Sequence, residues 1–317
     1  MEEAIRIRDL RVDYGDFTAV SNLSLTIGKG EIYGLVGPNG AGKTSTLNVL
    51  ATLLVPTYGS VEMAGFDLDR DPYEIRARLG YMPDLAPIVG NLKVWEFLDL
   101  FAASYGLGET ARKNRIEECL DLVKMQDSRN TLCGTLSRGM TQRIVLAKTL
   151  LHKPDILLLD EPASGMDPIA RIDLKDALQA VSATGSTIII SSHILSELSE
   201  MATSVGILHK GRLRAHGDVH EVLSSLEQTT STIRLELVER RDECLKWLEG
   251  SGLSARIADK HPHRLEVKLT GDVSRQASLL KDLIDEGFAI HGFYARGSSL
   301  EDLMRSISTE PEEALDA

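Results

Sequence analysis

The stretch Gly37-Pro38-Asn39-Gly40-Ala41-Gly42-Lys43-Thr44 decides how this chain is read. It fits G-x-x-x-x-G-K-[ST], in which glycines let the backbone fold tightly enough to turn several N–H groups toward one anion. A helix starting at about Lys43 adds the positive end of its dipole to the same place. In such a loop the lysine reaches the β- and γ-phosphates of a nucleotide, and the threonine offers its hydroxyl to Mg²⁺. A pattern this short also arises by chance, as a glycine-rich turn with a stray lysine, so its flanks matter. Glu31 to Val36 reads as a buried strand entering the loop, and Lys43 to Leu50, with Ser45 in its first turn, as the helix leaving it.

Downstream, Ile156-Leu157-Leu158-Leu159-Asp160-Glu161-Pro162 is a run of large aliphatics ending in two carboxylates. An unbroken apolar run suits a central parallel strand covered on both faces. Ligands of such sheets collect beyond the strand C-termini, where Asp160 and Glu161 fall. Asp160 suits Mg²⁺ through water, and Glu161 suits polarising an attacking water. As plain turn formers the two acids would have no reason to share the sheet's functional edge. Thr187 to His193 is a second buried strand, with its histidine just past the end. A lone histidine is usually incidental, but this one shares an edge with the phosphate loop and the carboxylates.

Between these strands, residues 73 to 150 are mostly helical, from 73 to 79, Val94 to Tyr105 and Glu109 to Met125, broken by an irregular apolar stretch from Leu85 to Asn91. Ser137 is placed as an N-cap at the head of an amphipathic helix. With Gly139 it could also present backbone N–H groups to an anion, although capping alone accounts for the serine. Before the phosphate loop, residues 4 to 12 and 23 to 27 alternate as half-buried antiparallel strands around a turn, Asp13-Tyr14-Gly15, that carries an aromatic ring.

Taken together and in this order, these pieces resemble the ATP-binding subunit of an ABC transporter, over about residues 4 to 226. The resemblance implies an α/β fold: a P-loop NTPase core with an antiparallel β subdomain and a helical subdomain. It implies that Tyr14 stacks on adenine, that Gly37 to Thr44 hold the phosphates of ATP, and that Lys43, Glu161 and His193 serve catalysis. Thr44 and Asp160 then serve Mg²⁺, Ser164 to Asp167 form the loop after the carboxylate strand, and Ser137 and Gly139 match the signature LSGGQ. Two departures stand out. The signature reads Leu136-Ser137-Arg138-Gly139-Met140, and the loop that usually offers a glutamine after Tyr-x-Pro ends in Asp84. Asp84 could ligate the metal directly or could be a permissive substitution. Resemblance to exporters whose membrane halves are separate chains favours the second.

The remainder is a different unit. Strands at 232 to 238, 252 to 257, 264 to 269 and 288 to 294, with helices at 241 to 249 and 274 to 286, give the order β-α-β-β-α-β of a ferredoxin-like domain spanning 228 to 308. A closing helix is expected from Ser299 to Ser306, and the acidic end from 309 to 317 reads as disordered. His261 and His263 flank Pro262 in a hairpin turn without the further ligands a metal site needs.

Composition bounds the partners. The 317 residues are 43% hydrophobic and 26% charged, with a net charge of −12. An acidic balance argues against a general grip on nucleic acid, which lysine and arginine excess carries. No apolar run approaches the roughly eighteen residues of a spanning helix. Met1 to Arg6 lacks the basic and apolar regions of a signal peptide. Three cysteines in no C-x-x-C pair fit a reducing compartment. The resemblance then implies a subunit on the cytoplasmic face of the membrane that docks a separate integral-membrane permease and pairs head to tail with a second ATP-binding subunit, a homodimer being the simplest case. The rival is a soluble ABC-type ATPase acting on ribosomes or DNA, against which stand a single phosphate loop and no sustained heptads. A non-enzymatic nucleotide switch is opposed by Glu161 and His193.

Overall fold

The computed structural model describes residues 2–222, 231–258, 263–269, 271 and 273–296. The chain divides into two compact units, Met1–Val219 and His220–Ala317.

In the first unit, β1 (Glu3–Tyr14) and β2 (Phe17–Gly28) form a long antiparallel hairpin, extended by β4 (Tyr58–Met63) and β5 (Phe66–Asp67) in the order β2-β1-β4-β5. The apolar positions of β1 slip by one, from Ile5 and Ile7 to Leu10 and Val12. A register shift between Ile7 and Leu10 accounts for this. Asp9 sits at φ 50 in that bulge, with its N–H donating to Ser24 Oγ at 2.9 Å. All four apolar side chains thereby stay buried. The hairpin turn is one residue later than the expected Asp13-Tyr14-Gly15, because Tyr14 is the last residue of β1 and pairs with Phe17.

The second sheet has the order β10-β9-β3-β8-β7-β6. Its parallel members are β3 (Ile32–Val36), β6 (Leu79–Met82), β7 (Ile156–Asp160), β8 (Thr187–Ser192) and β9 (Ser204–His209), and β10 (Arg212–Asp218) runs antiparallel to β9. Every residue of β3, β7 and β8 is buried, as continuous aliphatic runs require. No residue of β10 is buried. Leu213 and Ala215 are only partly covered, Leu213 packing on the core from the sheet edge, so the strand has no buried aliphatic run to announce it.

Helix α1 (Lys43–Leu50) leaves the phosphate loop and shares one core with both sheets: Leu47, Val49 and Leu50 pack in the same cluster as Ile27, Leu35 and Leu158. Each such side chain contributes about 1.5–3 kcal/mol when fully buried, so the loop hangs between two rigid supports. Helix α2 (Pro72–Arg78) precedes β6, a strand of the main sheet within the span 73 to 150. The helical layer proper is α3 (Val94–Ser104), α4 (Glu109–Leu122) and α5 (Arg138–Leu150), with α3 and α4 both packed on α5. Ser137 caps α5, its hydroxyl accepting from Met140 N–H at 3.3 Å. Asp167 caps α6 (Pro168–Ala183) through Ala170 N–H at 2.9 Å, and α7 (Leu195–Ser199) follows β8.

The second unit runs β11 (Ser231–Leu237), α8 (Arg241–Gly250), β12 (Ser254–Ile257), β13 (Arg264–Leu269), α9 (Val273–Asp285) and β14 (Ile290–Arg296). Its strands pair antiparallel in the order β12-β13-β11-β14. Alternate residues Ile233, Leu235 and Leu237 of β11 and Leu265, Val267 and Leu269 of β13 pack with Cys244 and Leu248 of α8 and with Leu279 and Leu283 of α9. The expected helix from Ser299 to Ser306, the end from 309 to 317, and His261 with Pro262 lie outside the described residues.

Candidate active site

The phosphate loop connects β3 to α1, and two of its glycines are sterically obligatory. A Cβ on Gly37 would lie 2.4 Å from the Leu208 carbonyl oxygen. Gly42, the residue before α1, has φ +103, and a Cβ there would meet the Ala19 carbonyl oxygen at 2.4 Å. Only glycine lets the loop press against β9 and β2 in this way. Lys43 is buried, its ammonium folded back over the loop to donate to Gly37 O at 2.7 Å and Pro38 O at 3.3 Å.

The carboxylates stand where β7 ends. Asp160 Oδ2 accepts from Thr44 Oγ1 at 2.9 Å, and Asp160 Oδ1 accepts from Ser191 Oγ at 2.5 Å. The chain then turns sharply at Glu161, whose φ of 50 is uncommon outside glycine. Ser191 Oγ holds this turn by accepting the Glu161 N–H at 2.9 Å. The turn splits the two acids: Asp160 faces the Thr44 hydroxyl, while Glu161 faces two other partners. Glu161 Oε1 lies 3.5 Å from Lys43 Nζ, and Oε2 accepts from His193 Nδ1 at 2.8 Å.

These groups line one open cavity of about 400 Å³, together with Asn39, Gly40, Ala41, Gly42 and Ser45 of the loop, Asp84, and Ser164 of the loop after β7. At its rim are Tyr14 and Phe17, directly paired across the β1–β2 turn and both largely exposed. The Tyr14 hydroxyl donates to Ser45 Oγ at 3.4 Å. Gly37 and Pro38 contribute their carbonyls to Lys43 rather than surface to the cavity. Ser137 and Gly139 are not among its lining residues. Asp84 enters from the loop after β6. Burial pushes its carboxyl above the usual range, the Asp160 and Glu161 carboxylates push the same way, and the Arg138 guanidinium and His193 oppose them. Tyr81, near the end of β6, is pushed up to about 12 by burial and then by Asp160.

Two contributors escape a reading of the sequence. Ser191 bridges both acids, and its only signal is that it stands opposite Asp160 in the parallel register of β7 and β8. Gln142 is buried in α5 and donates to the Asp84 carbonyl at 3.1 Å. That contact ties two segments far apart in the chain, and no local pattern announces it.

The donors suit a hard cation such as Mg²⁺, since they are a hydroxyl and carboxylates. Among the described residues no group of three or more His, Cys, Asp or Glu is placed to hold a metal. The site therefore fits an ion that takes most of its ligands from phosphate and water, as Mg²⁺ does with nucleotides, with Thr44 and Asp160 as the protein's share.

A protein-family description, ABC transporter, matches residues 20–164. The bacitracin transport ATP-binding protein BcrA of Bacillus licheniformis is 38% identical over 214 residues, which is 67% of this chain and 69% of BcrA. The daunorubicin resistance ATP-binding protein DrrA2 of Streptomyces coeruleorubidus is 30% identical over 324 residues, spanning 98% of both chains. The solved structure of an ATP-binding subunit of an ABC transporter superimposes with a TM-score of 0.64 at 28% identity, over 70% of this chain and 92% of that one. With the phosphate loop, the split carboxylates and the histidine gathered in one cavity, the chain belongs to the ABC transporter family as an ATP-binding, ATP-hydrolysing subunit.

Proposed function

We propose that this subunit drives export through a separate membrane permease, with two subunits closing head to tail over ATP. The observation that carries the catalytic part is Glu161, which reaches Lys43 on one side and His193 on the other across the mouth of a phosphate loop. In this reading the loop amides from Asn39 to Ser45 and the Lys43 ammonium bind the β- and γ-phosphates, and Tyr14 stacks on adenine. Glu161 orients the attacking water, while His193 holds Glu161 and senses the γ-phosphate. Thr44 and Asp160 hold Mg²⁺, which when bound supplies positive charge against the phosphate oxygens. Lys43 and the amides stabilise charge that grows on the γ-phosphate in the transition state.

Pairing is supported by what the cavity leaves out. Ser137 heads α5 at an exposed position, yet neither it nor Gly139 lines the cavity of its own chain. Their use is as the second face of a nucleotide sandwich, supplied by another subunit. Among the described residues no helix is long and apolar enough to cross a membrane. In this reading the permease is a separate chain, and the irregular apolar stretch from Leu85 to Leu92 is the surface offered to it. Export is supported by the two relatives, whose names concern bacitracin transport and daunorubicin resistance. DrrA2 is related across the second unit as well, read here as a ferredoxin-like accessory domain of the same subunit class. Nucleic acid has no place in this reading, and a soluble ATPase acting on ribosomes or DNA is its rival.

The test is affinity purification of tagged Glu161→Gln protein from detergent-solubilised membranes with ATP present. A stoichiometric polytopic membrane protein is expected. Ribosomal or DNA-repair proteins without a membrane partner would replace the transporter reading with its rival.

A further inference from the structure

Arg138 is the first residue of α5, and its side chain lies back across its own chain. One guanidinium nitrogen donates to Ser164 Oγ at 3.0 Å and stands 4.0 Å from Asp84 Oδ1. Between these points the side chain passes directly over Gly165, where a Cβ would lie 2.8 Å from Arg138 Cδ and Nε. Gln142, about one helical turn further along α5, holds the Asp84 loop a second time through its backbone carbonyl. Helix α5 is thus fastened to the loop after β6 and to the loop after β7. Both loops reach the nucleotide cavity, through Asp84 and Ser164, whereas Arg138 does not line it.

We propose that Arg138 is a positioning residue for ATP turnover, clamping the Asp84 and Ser164 walls of the nucleotide cavity to α5 so that they move together. The inference rests on the reading of this cavity as the ATP site. A guanidinium suits the task because it is planar and always charged and holds its donors in a fixed geometry over Gly165, whereas a lysine ammonium is a freely rotating point charge on a flexible stem. The side chain is 55% exposed, so the contact adds little to folding. Its loss should therefore appear in turnover, where small displacements of a catalytic wall are costly.

The experiment measures kcat, KM for ATP and Tm on the full chain for Arg138→Ala, Arg138→Lys, Ser164→Ala and the Arg138→Ala/Ser164→Ala double variant. For Arg138→Ala, kcat should fall by about tenfold or more. Its KM should stay within about twofold and its Tm within roughly 2 °C of wild type. Lysine should recover only part of the rate. The double variant should be no slower than Arg138→Ala alone, because both changes remove the same bond. Wild-type kcat in Arg138→Ala, a loss wholly explained by Tm, or losses that multiply in the double variant would each overturn the clamp. Wild-type protein that turns over no ATP overturns the ATP-site reading and the clamp with it.

Discussion

The Lys43 ammonium and the Glu161 carboxylate stand 3.5 Å apart, the lysine buried and the glutamate half-buried just past the end of β7. Lys43 is further held by two loop carbonyls, and Glu161 by His193. In the function proposed above, a phosphate entering the loop competes with Glu161 for the ammonium and frees the carboxylate toward an attacking water, so that the pair would tie nucleotide entry to placement of the base.

Separating the two residues by mutation should split binding from turnover. Glu161→Gln keeps the loop and Lys43 but loses the charge that polarises water, so ATP should stay bound and unhydrolysed, and the subunits should accumulate as a nucleotide-bound dimer in size-exclusion chromatography. Lys43→Ala removes a charge-assisted contact to phosphate worth about 1.5–3 kcal/mol, so nucleotide affinity should fall by roughly 10- to 150-fold in equilibrium binding of a fluorescent ATP analogue. Normal hydrolysis by Glu161→Gln would remove Glu161 from the role assigned to it.

Ser191→Ala should be costly for a residue that touches no substrate. Its hydroxyl donates to Asp160 and accepts from the Glu161 N–H, so alanine leaves a buried carboxylate short of a donor and a strained turn without its tie. An unsatisfied buried group costs about 1–3 kcal/mol, which for a unit of this size lowers Tm by roughly 2–12 °C. Calorimetry of the nucleotide-free protein should show that loss, with a fall in kcat beside it. Ser191→Thr, which keeps the hydroxyl and suits a strand, should recover most of both. An alanine variant as stable and as active as wild type would show that the bridge does not hold the turn.

The parts of this site that are legible in the sequence are those a continuous apolar run or a glycine pattern announces. Val36, Asp160 and Ser192 end fully buried strands, so the phosphate loop, Glu161 and His193 meet at one sheet edge. Ser191 stays hidden because a serine ending an aliphatic run looks like a strand terminator until parallel register sets it opposite Asp160. The hairpin turn falls one residue later than the pattern suggests because its last strand pair, Tyr14 with Phe17, is aromatic and exposed rather than alternating. Strand β10 lacks a buried residue altogether. Arg138 and Gln142 act across long sequence separations, through contacts that exist only once α5 is packed against the sheet edge.

The cysteines offer a check on packing that is independent of nucleotide. Cys119, Cys133 and Cys244 are free and fully buried. Burial pushes the Cys119 and Cys244 thiols up to about 11, and raises Cys133 as well. Thiolate is the reactive form. Native protein at pH 8 should therefore be nearly inert to Ellman's reagent, and all three thiols should titrate promptly in denaturant. A fast-reacting thiol in the native state would mean that the core around it opens.

Asp84 should destabilise the empty protein near neutral pH, and asparagine should relieve it. Its carboxyl is raised by burial and by the Asp160 and Glu161 carboxylates. An acid whose folded value lies above its unfolded value binds more protons in the native state, so stability falls as pH rises from about 3.9 through the folded value. The carboxylate carries this penalty in full above the folded value, while asparagine carries none at any pH. Without nucleotide or Mg²⁺, Asp84→Asn should therefore melt higher than wild type at pH 7 to 8, and the gap should close as pH falls toward 4. Arg138 works against the penalty from 4.0 Å. In an Arg138→Ala background, then, the same Asp84→Asn change should raise the melting temperature by more than it does in wild type. Melting curves that coincide at every pH would show that Asp84 is already neutralised by its surroundings, and would leave Arg138 no electrostatic hold on the Asp84 loop.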